Sequence, residues 1–87
     1  MKSPPLPRVR FYTKKNCSLC LAAHNVIQKV AGEIHFDLEV IDITSEKSLY
    51  REYIEKIPVI YINDNKIFQY FINENLFREA LERCISV

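Results

Sequence analysis

The chain has 87 residues, of which 48% are hydrophobic and 26% charged, which supports one domain with a real core and no more. Its 12 basic and 11 acidic residues leave a net charge of +1, so no basic surface dominates of the kind that nucleic acid or an anionic membrane would require. No apolar run approaches the roughly 20 residues of a membrane-spanning helix.

Residues 1–7 hold three prolines and one lysine and lack the apolar centre of a secretory signal. They are expected to form a flexible lead-in to a single domain over residues 8–87. Cysteines are three, Cys17, Cys20 and Cys84. The odd count and the missing signal point to a reducing compartment, the cytoplasm or the mitochondrial matrix. There a close cysteine pair is more often catalytic or metal-binding than a structural staple.

In chain order, the β-branched and aromatic run at 9–13 predicts a strand. From 17 to 31 the spacing turns helical: Leu19, Ala23, Val26, Ile27 and Val30 share one face, and Gly32 is a stop signal. Phe36, Leu38, Val40, Ile41 and Ile43 predict a second strand over 35–43. Thr44 and Ser45 break it, and Leu49, Tyr50, Tyr53 and Ile54 form a second helical stripe that Pro58 ends. Residues 59–62 predict a third strand and 66–71 a fourth, joined as a hairpin through the turn residues Asn63, Asp64 and Asn65, of which Asn65 can tolerate the left-handed region. Asn73 is a good N-cap for a last helix carrying Leu76, Phe77, Ala80, Leu81 and Cys84 on one stripe. Cys84 is therefore expected in the core. The order βαβαββα implies an α/β fold with a parallel first pair, an antiparallel last pair, and one four-stranded mixed sheet with helices on both faces.

Cys17-Ser18-Leu19-Cys20 follows a strand and opens a helix. Residues three apart on a helix lie on one side of a turn, so a disulfide closes with little backbone motion. The first turn also carries unpaired N–H groups and the positive end of the macrodipole, which stabilise a thiolate, and Lys14 and Lys15 add positive charge. Lowering a thiol pKa from about 8.5 to about 6 raises its thiolate fraction at neutral pH from about 3% to about 90%. Cys17, earlier and more exposed, is expected to be the nucleophile, and Cys20 the buried resolving thiol. Two alternatives stay open. Cys17, Cys20 and His24 supply three zinc ligands but no fourth, and the pair could also be an inert core feature. His24 reads best as a partly exposed histidine. Tyr12 and Tyr53 are expected mainly to pack, and Tyr70 and Phe71 either line a groove or cover the sheet.

Residues 11–20, Phe-Tyr-Thr-Lys-Lys-Asn-Cys-Ser-Leu-Cys, together with Ile57-Pro58-Val59 and the helix after the hairpin, resemble the glutaredoxin-like branch of the thioredoxin superfamily, over about 9–85. The nearest pattern is that of short members with C-x-L-C and I-P-V. The resemblance implies a thioredoxin-like fold and a thiol–disulfide oxidoreductase whose dithiol, Cys17 and Cys20, reduces or exchanges disulfides through a mixed disulfide. It further implies a cis Ile57–Pro58 bond whose Ile57 N–H and C=O bind a substrate chain, and Lys14 as a residue that helps hold glutathione. The partners implied are a disulfide-containing protein or a glutathione mixed disulfide, with glutathione or a thioredoxin-type reductase as electron donor. No bound cofactor is expected, and the chain is expected to act as a monomer. The alternative on the same fold is a redox-sensing or metal- or Fe–S-binding module. The chain departs from glutaredoxins in lacking C-P-Y-C, and in carrying Tyr70-Phe71-Ile72-Asn73 where they have Gly-Gly and an acidic residue.

Overall fold

A computed structural model describes residues 6–85. The part of the expected lead-in at 1–5 lies outside them. Pro7, assigned to that lead-in, is fully buried, and its carbonyl accepts from the Asp37 amide at 2.9 Å.

The elements are β1 (Arg8–Thr13), α1 (Ser18–Ala31), β2 (Asp37–Asp42), a short 3-10 turn (Ile43–Ser45), α2 (Lys47–Tyr53), β3 (Val59–Ile62), β4 (Asn65–Gln69) and α3 (Glu74–Ile85). The sheet order is β2-β1-β3-β4. β1 runs parallel to β2 and antiparallel to β3, and β3 is antiparallel to β4.

Strand alternation assigns the two faces. Val9 and Phe11 of β1, with their partners Ile62 and Ile60 of β3, face α1 and α3. There they meet Ala23, Ile27, Val30, Phe77 and Leu81, all nearly or wholly buried. The Phe77 ring packs edge-on against Phe36 and Phe68, at 5.8 and 6.4 Å between centroids. Tyr12 and Tyr61 face the other way, and Tyr12 stacks on Tyr53 of α2 at 4.2 Å. Helices thus cover both faces, as the element order implies.

Four local expectations are corrected. β2 ends at Asp42, because the Asp42 carboxylate accepts from the Thr44 amide and hydroxyl at 2.8 and 2.7 Å and folds the chain into the 3-10 turn. The left-handed residues of the hairpin are Asn63 (φ 49°) and Asp64 (φ 71°), not Asn65. A two-residue type I′ loop, whose twist matches that of the strands, needs positive φ at both central positions. β4 stops at Gln69, because Tyr70 is itself left-handed (φ 70°) and the Phe71 amide turns back onto the Gln69 carbonyl at 2.8 Å. Cys84 is exposed. It shares the helical stripe of Phe77 and Leu81, but the last turn of α3 outruns the core, and Ile85 beside it is exposed too.

Asn73 caps α3 as its residue type implies, its side-chain oxygen accepting from the Leu76 amide at 2.9 Å. A charged network ties α3 to the end of α1: Arg78 pairs with Glu33 and Glu74, each at 2.9 Å, and Lys29 with Glu74 at 3.2 Å. Hydrogen bonds from Arg78 and Lys29 hold the Glu74 carboxyl below its usual range.

Candidate active site

The site is built at one end of the sheet. β1 delivers the chain there at Thr13. The register Tyr12 opposite Val59, and Val59 opposite Gln69, brings the start of β3 and the end of β4 to the same end. Thr13–Cys17, Ile57–Pro58 and Tyr70 therefore converge, although 57 residues separate Thr13 from Tyr70 in sequence. The Tyr70 amide donates to the Pro58 carbonyl at 2.9 Å and locks two of these segments together.

Cys17 is the N-cap of α1. Its backbone is extended (φ −120°, ψ 109°), and its carbonyl accepts the first helical bond, from Leu21 N–H at 3.0 Å. Its sulfur takes the role usually filled by a Ser or Asp oxygen: Cys17 Sγ accepts from the Cys20 amide at 3.2 Å. A thiolate in that position receives a charge-assisted hydrogen bond together with the positive end of the helix macrodipole. No acidic residue lies in the first turn to cancel that field. Cys17 and Cys20 form a disulfide, with Cα atoms 5.2 Å apart, well within the range such a bond tolerates. Cys17 is half-buried and Cys20 is buried, only 3% exposed.

Sequence reasoning missed Asn16. It sits at φ 58° and turns the chain so that Cys17 enters the helix as its cap. Asparagine is among the few residue types enriched in that conformation, so an Asn directly before the pair was the available signal. The turn at Tyr70 was missed as well, although the residue itself was considered for a groove. Its positive φ, with a bond spanning Gln69 to Phe71, makes a γ-turn that an aromatic residue rarely adopts, and nothing in the local sequence announces it.

Of the other expected site residues, Lys14 is partly exposed on the loop, and its ammonium donates to the Lys15 carbonyl at 3.2 Å. The Ile57–Pro58 bond is cis. The Ile57 N–H, expected to be free, instead donates to the Tyr53 carbonyl at 3.0 Å. Pro58 is fully buried. His24 is half-buried, stacks near the Phe11 ring and lies 3.4 Å from the Gln28 side-chain nitrogen. Among the described residues no three His, Cys, Asp or Glu side chains cluster as metal ligands. Tyr12 and Tyr53 pack, and burial, together with hydrogen bonding to Tyr61 and Tyr12 that favours the neutral hydroxyl, pushes the Tyr53 pKa above its ordinary value. Tyr70 and Phe71 project from the site end, 42% and 71% exposed, and do not cover the sheet.

This geometry has clear relatives. Residues 8–82 match the Glutaredoxin-like domain (DUF836). A glutaredoxin-like protein of Dictyostelium discoideum, named as a YDR286C homolog, is 32% identical over 83 residues, covering 88% of this chain and 77% of that protein. Among solved structures, protein Ne2328 from Nitrosomonas europaea superposes with a TM-score of 0.74 at 23% identity, covering 93% of this chain and 98% of that one. A mutant thioredoxin from Halobacterium salinarum superposes with a TM-score of 0.70 at 14% identity, covering 98% and 80%. A thioredoxin fold carrying a close cysteine pair at the start of its first helix fits a redox role, and the chain belongs to the glutaredoxin-like family of the thioredoxin superfamily.

Proposed function

We propose that the protein is a thiol–disulfide oxidoreductase. The observation that carries this reading is Cys17 Sγ standing as the N-cap acceptor of α1, within bonding distance of Cys20 Sγ. In the reduced protein the Cys17 thiolate attacks one sulfur of a disulfide R–S–S–R′. A Cys17–S–S–R bond forms, the substrate S–S bond breaks, and R′ leaves as its thiolate. Cys20 then loses its proton and attacks Cys17 Sγ, which closes the Cys17–Cys20 disulfide and expels R as its thiolate. Two electrons pass from the dithiol to the substrate, and the two thiol protons end on R–SH and R′–SH. The cycle is reset by two thiol equivalents, from glutathione or through a thioredoxin-type reductase. The two sulfurs carry the electrons, so the reaction needs no resident cofactor.

Lys14 supplies positive charge to an anionic substrate group near Cys17. With its N–H taken by Tyr53, Ile57 contributes its carbonyl to a substrate chain. Pro58 shapes that stretch of backbone without touching the substrate through its side chain.

Cys84 is an internal reference, because it is exposed and lies on another element. Reduced protein is treated with limiting iodoacetamide between about pH 5 and 9, and each cysteine is followed by mass spectrometry. Cys17 is expected to reach half its plateau rate well below the free-thiol value of about 8.5, and to react faster than Cys84 at pH 7. In the Cys20→Ser variant, a disulfide substrate should accumulate as a mixed disulfide on Cys17. Equal, slow alkylation of Cys17 and Cys84 at pH 7 would refute the reading.

A further inference from the structure

One surface beside the sulfurs extends beyond the groups that the cycle above uses. A groove of about 570 Å³ opens between the β1–α1 loop, the outer side of α1 and the edge strand β2. Cys17 and Cys20 line it. Phe11, Leu21 and Val40 give it an apolar wall, and Lys14, Lys15 and His24 are its titratable side chains apart from the cysteines. Leu21 and Val40 are 63% and 54% exposed. Single exposed aliphatic residues are ordinary, but these two flank one opening that leads to the redox pair.

The charge of this groove is local. The whole chain carries only +1, and among the described residues no carboxylate lines the groove. Strand alternation sends Glu39 to the opposite face of β2 from Val40. Asp42, on the same face, lies close enough to Lys15 and Lys14 for their charges to help lower its pKa, after the larger effect of the Thr44 hydrogen bonds. Its Oδ1 is engaged by the Thr44 amide and hydroxyl, and it is not part of the lining.

We infer that this groove docks an acidic, apolar segment of a polypeptide substrate, next to the disulfide that Cys17 attacks. The inference rests on the oxidoreductase reading and names its substrate class. The lysines and the missing carboxylates select an anionic occupant by charge complementarity, and the apolar wall selects side chains rather than a bare anion. β2 lies at the sheet edge and pairs only with β1, so a polypeptide passing over Val40 meets no further strand. An exposed pair of opposite charges is worth a modest preference, about fivefold in affinity.

The test measures fluorescence anisotropy of two labelled, cysteine-free peptides of equal length, alternating Leu and Phe with Asp and Glu in one and with Lys in the other, on the oxidised wild-type protein. The acidic peptide should bind at least about fivefold more tightly at low salt, and the preference should vanish near 1 M salt, where the screening length falls to about 3 Å. Leu21→Glu and Val40→Glu should each abolish it. Both sites are exposed, so the variants should fold, and circular dichroism checks this. Val40→Glu, on the edge strand and away from the helix start, should still reduce hydroxyethyl disulfide, a small neutral substrate, at the wild-type rate. Equal binding of the two peptides, or a preference that survives both variants, would overturn the docking site alone. Failure of the wild type to reduce hydroxyethyl disulfide would instead overturn the oxidoreductase reading, and the substrate role with it.

Discussion

Asn16 is one residue from Cys17, the proposed nucleophile, and its left-handed backbone is what turns the loop into the helix cap. Replacing it separates backbone strain from chemistry, because the residue is exposed and its side chain makes no hydrogen bond among the described residues. Holding an ordinary L-residue in this region costs roughly 1–2 kcal/mol, asparagine rather less, and glycine nothing. Asn16→Gly should therefore be nearly neutral, Asn16→Ala should cost about 1 kcal/mol, and Asn16→Val, stiff at its branched Cβ, about 2 kcal/mol. In a domain of this size 1 kcal/mol shifts Tm by about 4–8 °C, so valine should lower it by about 8–16 °C. The assay is urea and thermal unfolding of the oxidised protein, followed by far-ultraviolet circular dichroism. Iodoacetamide reactivity of the reduced protein shows whether the loop keeps its shape. If valine holds the turn, stability falls and Cys17 reactivity at pH 7 is unchanged. If the turn relaxes, the cap is lost and Cys17 slows toward Cys84. An Asn16→Val protein with wild-type stability and wild-type Cys17 reactivity would refute the strain argument.

Three further outcomes follow from the packing and charges. Phe77→Ala removes a fully buried ring that touches Phe36 and Phe68. It should cost about 3–5 kcal/mol, a large part of the roughly 4–13 kcal/mol available to a chain of this length, seen as a lower urea midpoint. Glu74 has its pKa depressed in the folded state by Arg78 and Lys29. Its contribution is thus present at neutral pH and lost as pH falls below about 4.3 and on through the lower folded value. Urea midpoints measured from pH 7 to 2 should decline over that range, and less steeply in Glu74→Gln. Cys84→Ser, at an exposed position, should change stability by no more than about 0.5 kcal/mol and leave the alkylation profile of Cys17 untouched.

Much of this architecture was legible locally. The β-branched runs, the helical stripes and the Asn73 cap each carry a physical signal within a window of ten or so residues, and the elements they predict exist. The cysteine pair was legible for the same reason, because C-x-x-C after a strand specifies both the spacing of the sulfurs and their place at a helix start. Element ends were less so. β4 reads as continuing through Tyr70 and Phe71, since both favour strands, yet the left-handed backbone at Tyr70 and the bond from the Phe71 amide to the Gln69 carbonyl take the chain out of the ladder. Cys84 reads as core because periodicity reports only which residues share a face, not how far along the helix a partner extends.

The sequence by itself therefore determined the order of the elements, most of the faces they bury, the close cysteine pair and the family. Each of these depends on neighbours close in the chain or on a pattern that the chain carries whole. Only the tertiary structure decided what surrounds the pair. The pairings of β1 with β3 and of β3 with β4 bring Cys17, Ile57–Pro58 and Tyr70 to one end. The bond from Ile57 to Tyr53 removes a donor that local sequence left free. The cationic groove joins Lys14 and Lys15 to Leu21, His24 and Val40 across three elements. Such contacts link residues far apart in sequence and arise from packing the layers together, so no local window contains them.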